Sequence, residues 1–343
     1  MKKRPTQADV ARLAGVSRAT VSYVVNGLAD GRVLITEETR RRVLDAIAAL
    51  GYEPDAMAQS LRRGTTRTIG LLIPDMHNPH YWQIAHGAEE QAHAEGYDLL
   101  LTSTSLDPDR EVHAVTALSR RRIDGLIFLL TFTDRLAGEI EKLAGRGVPL
   151  AVIGGQIPGV DFVNSGGYHE GALLIMDYLL KLGHRRIGLV YGVAVPSLGQ
   201  DRLTAYQQAL DRAGLPLDES LIARCSTTLE DGYRAASRLL ELSPRPTAIL
   251  VINDLLAVAT IRAIADCGLH VPGDVSVASF DDIELAAYVT PPLTTVRSNA
   301  EEMGRAAARM IFARLRDPAL PPQQVDIPRQ LIVRASTGPA PAA

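Results

Sequence analysis

Only two cysteines occur in 343 residues, Cys225 and Cys267, and neither has another Cys or a His at metal-ligand spacing. No disulfide is needed, and both thiols read as buried, reduced side chains. No stretch approaches the roughly 18 apolar residues of a membrane span. The start, MKKRPTQADV, runs from basic residues straight into a polar helix without the apolar core of a secretion signal. A cytoplasmic chain with no membrane partner is therefore expected. The phosphate-cradling GxxxxGKS or GxxxxGKT loop, the dinucleotide GxGxxG and the nucleophile-elbow GxSxG are all missing, which leaves enzyme chemistry little to stand on. His86, Glu89, Glu90 and His93 share a helical stretch. They read as a solvated polar face, so neither a metal nor a cofactor is expected.

What is present is unevenly charged. The whole chain carries 36 Lys and Arg against 39 Asp and Glu, a net of -3, yet residues 1–63 alone hold a net of +4. A basic head precedes an acidic body, and the length suits two or three domains. Within the head, TQADVARLAGVSRATVSYVVN reads as two short helices pinned at a turn. Thr6 with Asp9 marks a helix start, and Val10, Ala11, Leu13 and Ala14 give that helix an apolar side. Gly15 tolerates positive φ at the turn, and Ser17 is placed to cap the second helix. At about 100° per residue, Thr20, Val21, Val24 and Val25 fall on one arc, with Arg18, Ala19, Ser22 and Tyr23 on the other. One arc can pack while the other reads, which is the requirement of a helix-turn-helix bound to double-stranded DNA.

A third helix is expected from a Thr36 cap, with Glu37 and Glu38 complementing its dipole, Val43, Ile47 and Leu50 on one face, and Gly51 at its end. The intervening GLADGRVL is a Gly- and Asp-rich loop in which Arg32 reads as a solvated charge. PDAMAQSLRRG then has Pro54 and Asp55 at a helix start and Gly64 at its stop, a helix of about two turns. So short a helix forms only against a partner, and that makes it a natural switch.

From Thr68 the pattern becomes apolar strands alternating with helices. TIGLLI, YDLLLT, DGLIFLL and PLAVIG make one series, and RIGLVYG, TAILVI and DVSVASF a second. Helical stretches near 82–95, 108–121, 135–145, 167–182, 200–213, 230–242 and 254–267 separate them. Two tandem α/β units, each a parallel sheet covered by helices on both faces, are expected.

Residues DVARLAGVSRATVSYVVNG, GYEPDAMAQSLRRGTTRTIGLLIPD, HNPHYW, LGHRRIGLVYG, VINDLLAVATIRAIADCGLHVPGDVSVASFDD and PPLTTVRSNAEEMG give the chain a resemblance. Over nearly its whole length it resembles the lactose repressor (LacI/GalR) family of bacterial transcription regulators. The resemblance implies a small all-α helix-turn-helix head on a two-lobed α/β body like a periplasmic binding protein, with a small ligand between the lobes, and a homodimer. It implies a head over 1–52, a hinge over 53–66, a first lobe of 67–164 plus about 293–323, a second of 165–292 plus about 324–338, and a tail of 339–343.

Carried over by matching position, Arg18, Ala19 and Tyr23 would meet base edges, while Thr6, Ser17, Thr20, Ser22 and Asn26 would hold the backbone and fix register. Tyr23 departs from the Arg often found there, and the GLADGRVL loop is longer than in many relatives. In the short helix, Ala58 and Leu61 match residues placed in the minor groove, the leucine levering a base step apart. For the cleft, the resemblance points to Asn78, Tyr81 and Trp82 from the first lobe and to Arg202, Asn253 and Asp281 from the second. Arg, Asn and Asp together suit the vicinal hydroxyls of a sugar or sugar derivative, and Trp82, the one tryptophan, could stack on its apolar face or serve as a core aromatic. Asn164 stands where an Asp is common. The tail ASTGPAPAA has no leucine heptad, so a dimer rather than a four-chain assembly is expected. A sugar-binding transport protein would need a secretion signal and no basic head, and a sugar-modifying enzyme would need a catalytic pair.

Overall fold

The computed structural model describes residues 5–25, 35–53, 64–129, 133–164, 167–193 and 196–341. Two compact units divide the chain, Met1–Thr66 and Arg67–Ala343.

In the first unit, α1 (Gln7–Ala14), α2 (Arg18–Val25) and α3 (Glu37–Leu50) enclose Val10, Ala11, Ala14, Val21, Val43, Ala46 and Tyr52. Leu13, expected on the apolar side of α1, is instead 56% exposed. At 100° per residue it lies beyond the arc that Val10, Ala11 and Ala14 share, so burying them turns it outward. Thr36 caps α3 by accepting from the Thr39 N–H at 3.3 Å, and Gly51 closes the helix at φ 61°.

The second unit holds two six-stranded sheets. The first contains β1 (Thr68–Ile73), β2 (Asp98–Ser103), β3 (Gly125–Leu129), β4 (Leu150–Ile153), β5 (Asp161–Asn164) and β11 (Gln324–Asp326). Their spatial order is β11-β5-β4-β3-β1-β2, parallel throughout. The second contains β6 (Ile187–Gly192), β7 (Ile222–Cys225), β8 (Ala248–Val251), β9 (Ser276–Asp281), β10 (Thr294–Arg297) and β12 (Gln330–Ile332). Its order is β12-β10-β9-β8-β6-β7, with β12 alone antiparallel. The central strands β3, β4, β6, β8 and β9 are buried from end to end, which is why all of them but β9, with its Ser276, Ser279 and Asp281, read as near-continuous apolar runs.

Helices α4 (Pro79–Ala94), α5 (Pro108–Arg120) and α6 (Thr133–Gly145) accompany the first sheet. Helices α7 (Tyr168–Lys181), α8 (Pro196–Arg212), α9 (Leu229–Leu240) and α10 (Asp254–Asp266) accompany the second, and α11 (Ala300–Arg316) returns to the first. The chain passes between sheets after β5, β10 and β11. The passage expected at about 293 therefore follows Arg297, because β10 pairs with β9. Residues 324–326, expected in the second lobe, pair instead with β5 in the first. Of the two cysteines expected to be buried, Cys225 is half-buried and Cys267 is exposed, and both are free thiols. Cys267 follows the last turn of α10 as its C-cap, where the helix faces solvent. No helix among the described residues is long and apolar enough to cross a membrane.

Candidate functional site

The head is organised by its turn. The Asp9 carboxylate accepts from the Thr6 N–H at 3.0 Å and from the Thr6 hydroxyl at 2.7 Å, which fixes the start of α1. Gly15 then takes φ 64°, and the Arg42 guanidinium donates to the carbonyls of Ala14 at 2.6 Å and Gly15 at 3.2 Å. A cation from α3 thus satisfies acceptors left over at the end of α1. Ser17 accepts from the Thr20 N–H at 3.0 Å and caps α2. Val21 is fully buried, while Ser17, Arg18 and Ala19 are exposed and Thr20, Ser22 and Tyr23 are half-buried. The first turn of α2 is therefore open to a partner. Asn26, Arg32, Ala58 and Leu61 lie outside the described residues.

The second site lies where the sheets end. Asn78 caps α4, its Oδ1 accepting from the His80 N–H at 3.0 Å, and its Nδ2 reaches Asp281 Oδ2 at 3.5 Å. That contact joins the first lobe to the second. Asp281 ends β9 with φ 108°, followed by Asp282 at φ 56°. Two successive residues in this sparsely populated region hold strain that the surroundings must secure. Asp282 is secured by Arg297 at 2.6 Å and Arg334 at 2.7 Å. Asp281 is only 3% exposed, and its Oδ1 has no hydrogen-bond partner among the described residues. The His80 ring lies beside it, with Nδ1 3.9 Å from Oδ1. Burial holds the His80 pKa below the usual imidazole range against the opposing pull of Asp281, so this ring is neutral near pH 7. Burial, with the nearby Tyr168 and Asp281, raises the Tyr81 phenol well above its ordinary value.

Arg202, on α8, is 7% exposed. Its guanidinium carbon lies 3.4 Å from the centre of the Tyr168 ring and 5.3 Å from that of Phe280. Arg329, in the last passage between sheets, lies 4.2 Å from the same Tyr168 ring. Asn78, Tyr81, Arg202 and Asp281 are thereby brought into one neighbourhood. Trp82 differs: it is 44% exposed, with its indole N–H donating to the Met76 carbonyl at 3.1 Å, so it is not a core aromatic. Asn253 caps α10, its Oδ1 accepting from the Leu256 N–H at 2.9 Å. Asn164 donates to Asp326 on β11 at 2.7 Å.

Four participants escaped sequence reasoning: His80, Tyr168, Arg329 and Asp254. Asp254 is wholly buried. It accepts from the Ser279 hydroxyl, the Thr295 hydroxyl at 2.6 Å and the Ile283 N–H at 2.8 Å, tying α10 to β9, to β10 and to the loop after Asp281. Burial first and the Asp281 charge second push its pKa up to about 7. The signal for Asp254 was its place directly after a capping Asn.

The comparisons bear on both sites. Residues 6–55 match the family described as "Bacterial regulatory proteins, lacI family" and residues 176–337 a "Periplasmic binding protein-like domain". The chain is 32% identical over 332 residues to the HTH-type transcriptional repressor PurR of Mannheimia succiniciproducens, covering 96% of this chain and 98% of the relative. It resembles the structure of the transcriptional regulator CelR in complex with cellobiose, with TM-score 0.68 and 30% identity, covering 97% and 100% of the two chains. It also resembles the lac repressor dimer bound to operator and the anti-inducer ONPF, with TM-score 0.82 and 26% identity, covering 98% and 100%. The chain belongs to the LacI family of bacterial regulatory proteins and is a DNA-binding transcription regulator, not an enzyme.

Proposed function

We propose that this regulator is a cytoplasmic, homodimeric repressor that binds a pseudo-palindromic operator and responds to a sugar-like metabolite held between its lobes. The observation that carries the effector reading is Asp281 Oδ1, a buried carboxylate oxygen without a hydrogen-bond donor among the described residues. Such an atom costs free energy until a donor arrives, and a ligand hydroxyl is a donor of the right kind. The CelR–cellobiose complex supports a sugar and the operator-bound lac repressor dimer supports the assembly. Asn78 joined to Asp281 across the lobes gives effector binding a contact to alter. A ligand shifts such an equilibrium only through its differential affinity for the two states. In this reading residues 1–52 form the head and 53–66 the hinge, with Asn26 on the backbone and Ala58 and Leu61 in the minor groove.

The test is footprinting of the full chain on its own upstream region with a salt series. Two half-sites about one helical turn apart and a steep loss of affinity with salt are expected. Protection of a single half-site with no salt dependence overturns the dimeric reading.

A further inference from the structure

The end of α5 carries three consecutive arginines that neither site above uses. Arg120, Arg121 and Arg122 are all exposed, and Arg146, exposed just beyond α6, joins them by donating to the Ser119 hydroxyl at 2.9 Å. None of the four forms an ion pair with a described residue. One arginine in the last turn would complement the helix dipole, but that effect fades beyond the turn. Arg122 lies past it with φ 54°, a conformation that costs a side chain and not a glycine. Where α1, α3, α4 and α6 close on Gly15, Gly51, Gly96 and Gly147 in that conformation, α5 closes on a cation.

The neighbouring charges do not cancel the cluster. α5 packs against β1, β2 and α6, and at this end those elements and the residues flanking them add Arg67, Asp98, Asp124, Glu139, Glu141 and Lys142. Glu139 is paired with Lys142 at 2.6 Å, and Asp124 accepts from the Arg67 N–H at 2.7 Å. With every one of these carboxylates counted as ionised, the corner is still positive by two, in a body that is negative by seven. The acids of α5 itself, Asp109 and Glu111, sit at its start, about 15 Å away along the axis. Glu95 and Arg316 pair on the opposite face of the sheet, where α4 and α11 lie.

Position selects the partner. The strands of a parallel sheet all begin at one end, and the corner lies there: the Asp124 N–H donates to the carbonyl of Thr68, the first residue of β1, at 2.8 Å. Arg67 is where the chain enters the body from the DNA-reading head, so this corner is the part of the body tied most directly to that head. Asn78 and the cleft follow the other end of β1, one strand length or roughly 20 Å away. Guanidinium groups grip phosphate oxygens, and a run of exposed ones holds a backbone without reading a base.

We propose that the corner formed by Arg120, Arg121, Arg122 and Arg146 binds the phosphate backbone of the DNA on which the head sits, so that the body adds affinity independent of sequence. This rests on the operator reading above and adds a second protein surface to it.

The experiment is a fluorescence-anisotropy titration of the full chain, over a salt series, on two duplexes of equal length: the footprinted upstream fragment and a random sequence. A triple variant, Arg120→Gln with Arg121→Gln and Arg122→Gln, should weaken both roughly tenfold or more, and should flatten the slope of log affinity against log salt by about 2, because each protomer of a dimer loses at least one phosphate contact. Arg122→Gly removes a cation while easing the backbone, so it should weaken both duplexes with a melting temperature no lower than that of the unaltered chain. Arg212→Gln, which removes an exposed cation from the end of α8 in the second lobe, should change neither affinity nor slope. Unchanged binding by the triple variant overturns the proposal and leaves the operator reading standing. So does a loss confined to the footprinted fragment, since phosphate contacts do not distinguish sequence, and so does an equal loss in Arg212→Gln, which would be an effect of bulk charge. An unaltered chain that protects no upstream fragment overturns both.

Discussion

Gly304 meets Ile84 backbone to backbone: a Cβ on Gly304 would fall 1.9 Å from the Ile84 carbonyl oxygen. Gly87 stands in the same relation to Glu301, again at 1.9 Å. This paired close approach lets α11 lie directly on α4, so the last long helix is locked to the helix that begins at Asn78. Because the obstacle is backbone, no rotamer change relieves it. Gly304→Ala should destabilise the body by about 3 kcal/mol, the upper end of ordinary overpacking. Urea unfolding of the full chain checks this, and an unchanged midpoint would show that the two helices can part without cost.

Arg42 makes a second, weaker clamp. It joins α3 to the Ala14 carbonyl at 2.6 Å, but its side chain is largely exposed. Solvent screening discounts the charge, so Arg42→Ala should cost the head about 1 kcal/mol. The loss should appear as weaker binding to every DNA sequence tested, because the turn that aims α2 is loosened as a whole. A change in sequence preference without a change in overall affinity would contradict this role.

What the sequence disclosed follows from physical pattern. β1, β3, β4, β6 and β8 lie inside their sheets and so appear as near-continuous apolar runs, while β9, equally buried, carries Ser276, Ser279 and Asp281. β5 reads DFVN, β7 IARC and β11 QVD; these are short strands toward the sheet edges with exposed or half-exposed positions, and they resemble loops. β12 escaped for the same reason and because it runs antiparallel. At the site, Asn78 and Asp281 were legible from motifs, although their contact spans 203 residues of sequence. Arg329 was not, because its partner Tyr168 is chosen by the last passage between sheets, which no local period records. Asn253 was legible as a polar residue after a strand, yet that pattern equally describes the helix cap it forms.

The Asp254 carboxyl makes stability depend on pH with a definite sign. Its pKa is raised to about 7 in the folded chain from an ordinary value of 3.8. Between those values the folded state keeps a proton that the unfolded chain has released, so stability is fullest below about pH 4 and falls as pH rises toward about 7. One proton contributes at most about 1.4 kcal/mol per pH unit. Asp254→Asn cannot ionise and should flatten that part of the profile, while lowering stability overall because its amide cannot accept from all three donors. Urea midpoints at several pH values from 5 to 7.5 test it; a variant with the same slope as the parent would remove Asp254 from the account.

The head and hinge should fail in different ways when altered. Arg18 is exposed on the first turn of α2, held there by the Ser17 cap. A guanidinium so placed can grip one guanine edge, and its loss should cost about 1–3 kcal/mol against the preferred base and little against others. Ser17→Ala should instead weaken all sequences alike, since a cap positions the helix without reading a base. Leu61→Ala removes the proposed wedge, so unstacking of the central step would no longer be repaid by the bent DNA it makes possible. It should weaken operator binding strongly while leaving effector affinity unaltered. Gel-shift titrations against the operator and single-base variants separate the three, and a Leu61→Ala protein that binds operator normally would place that residue outside the groove.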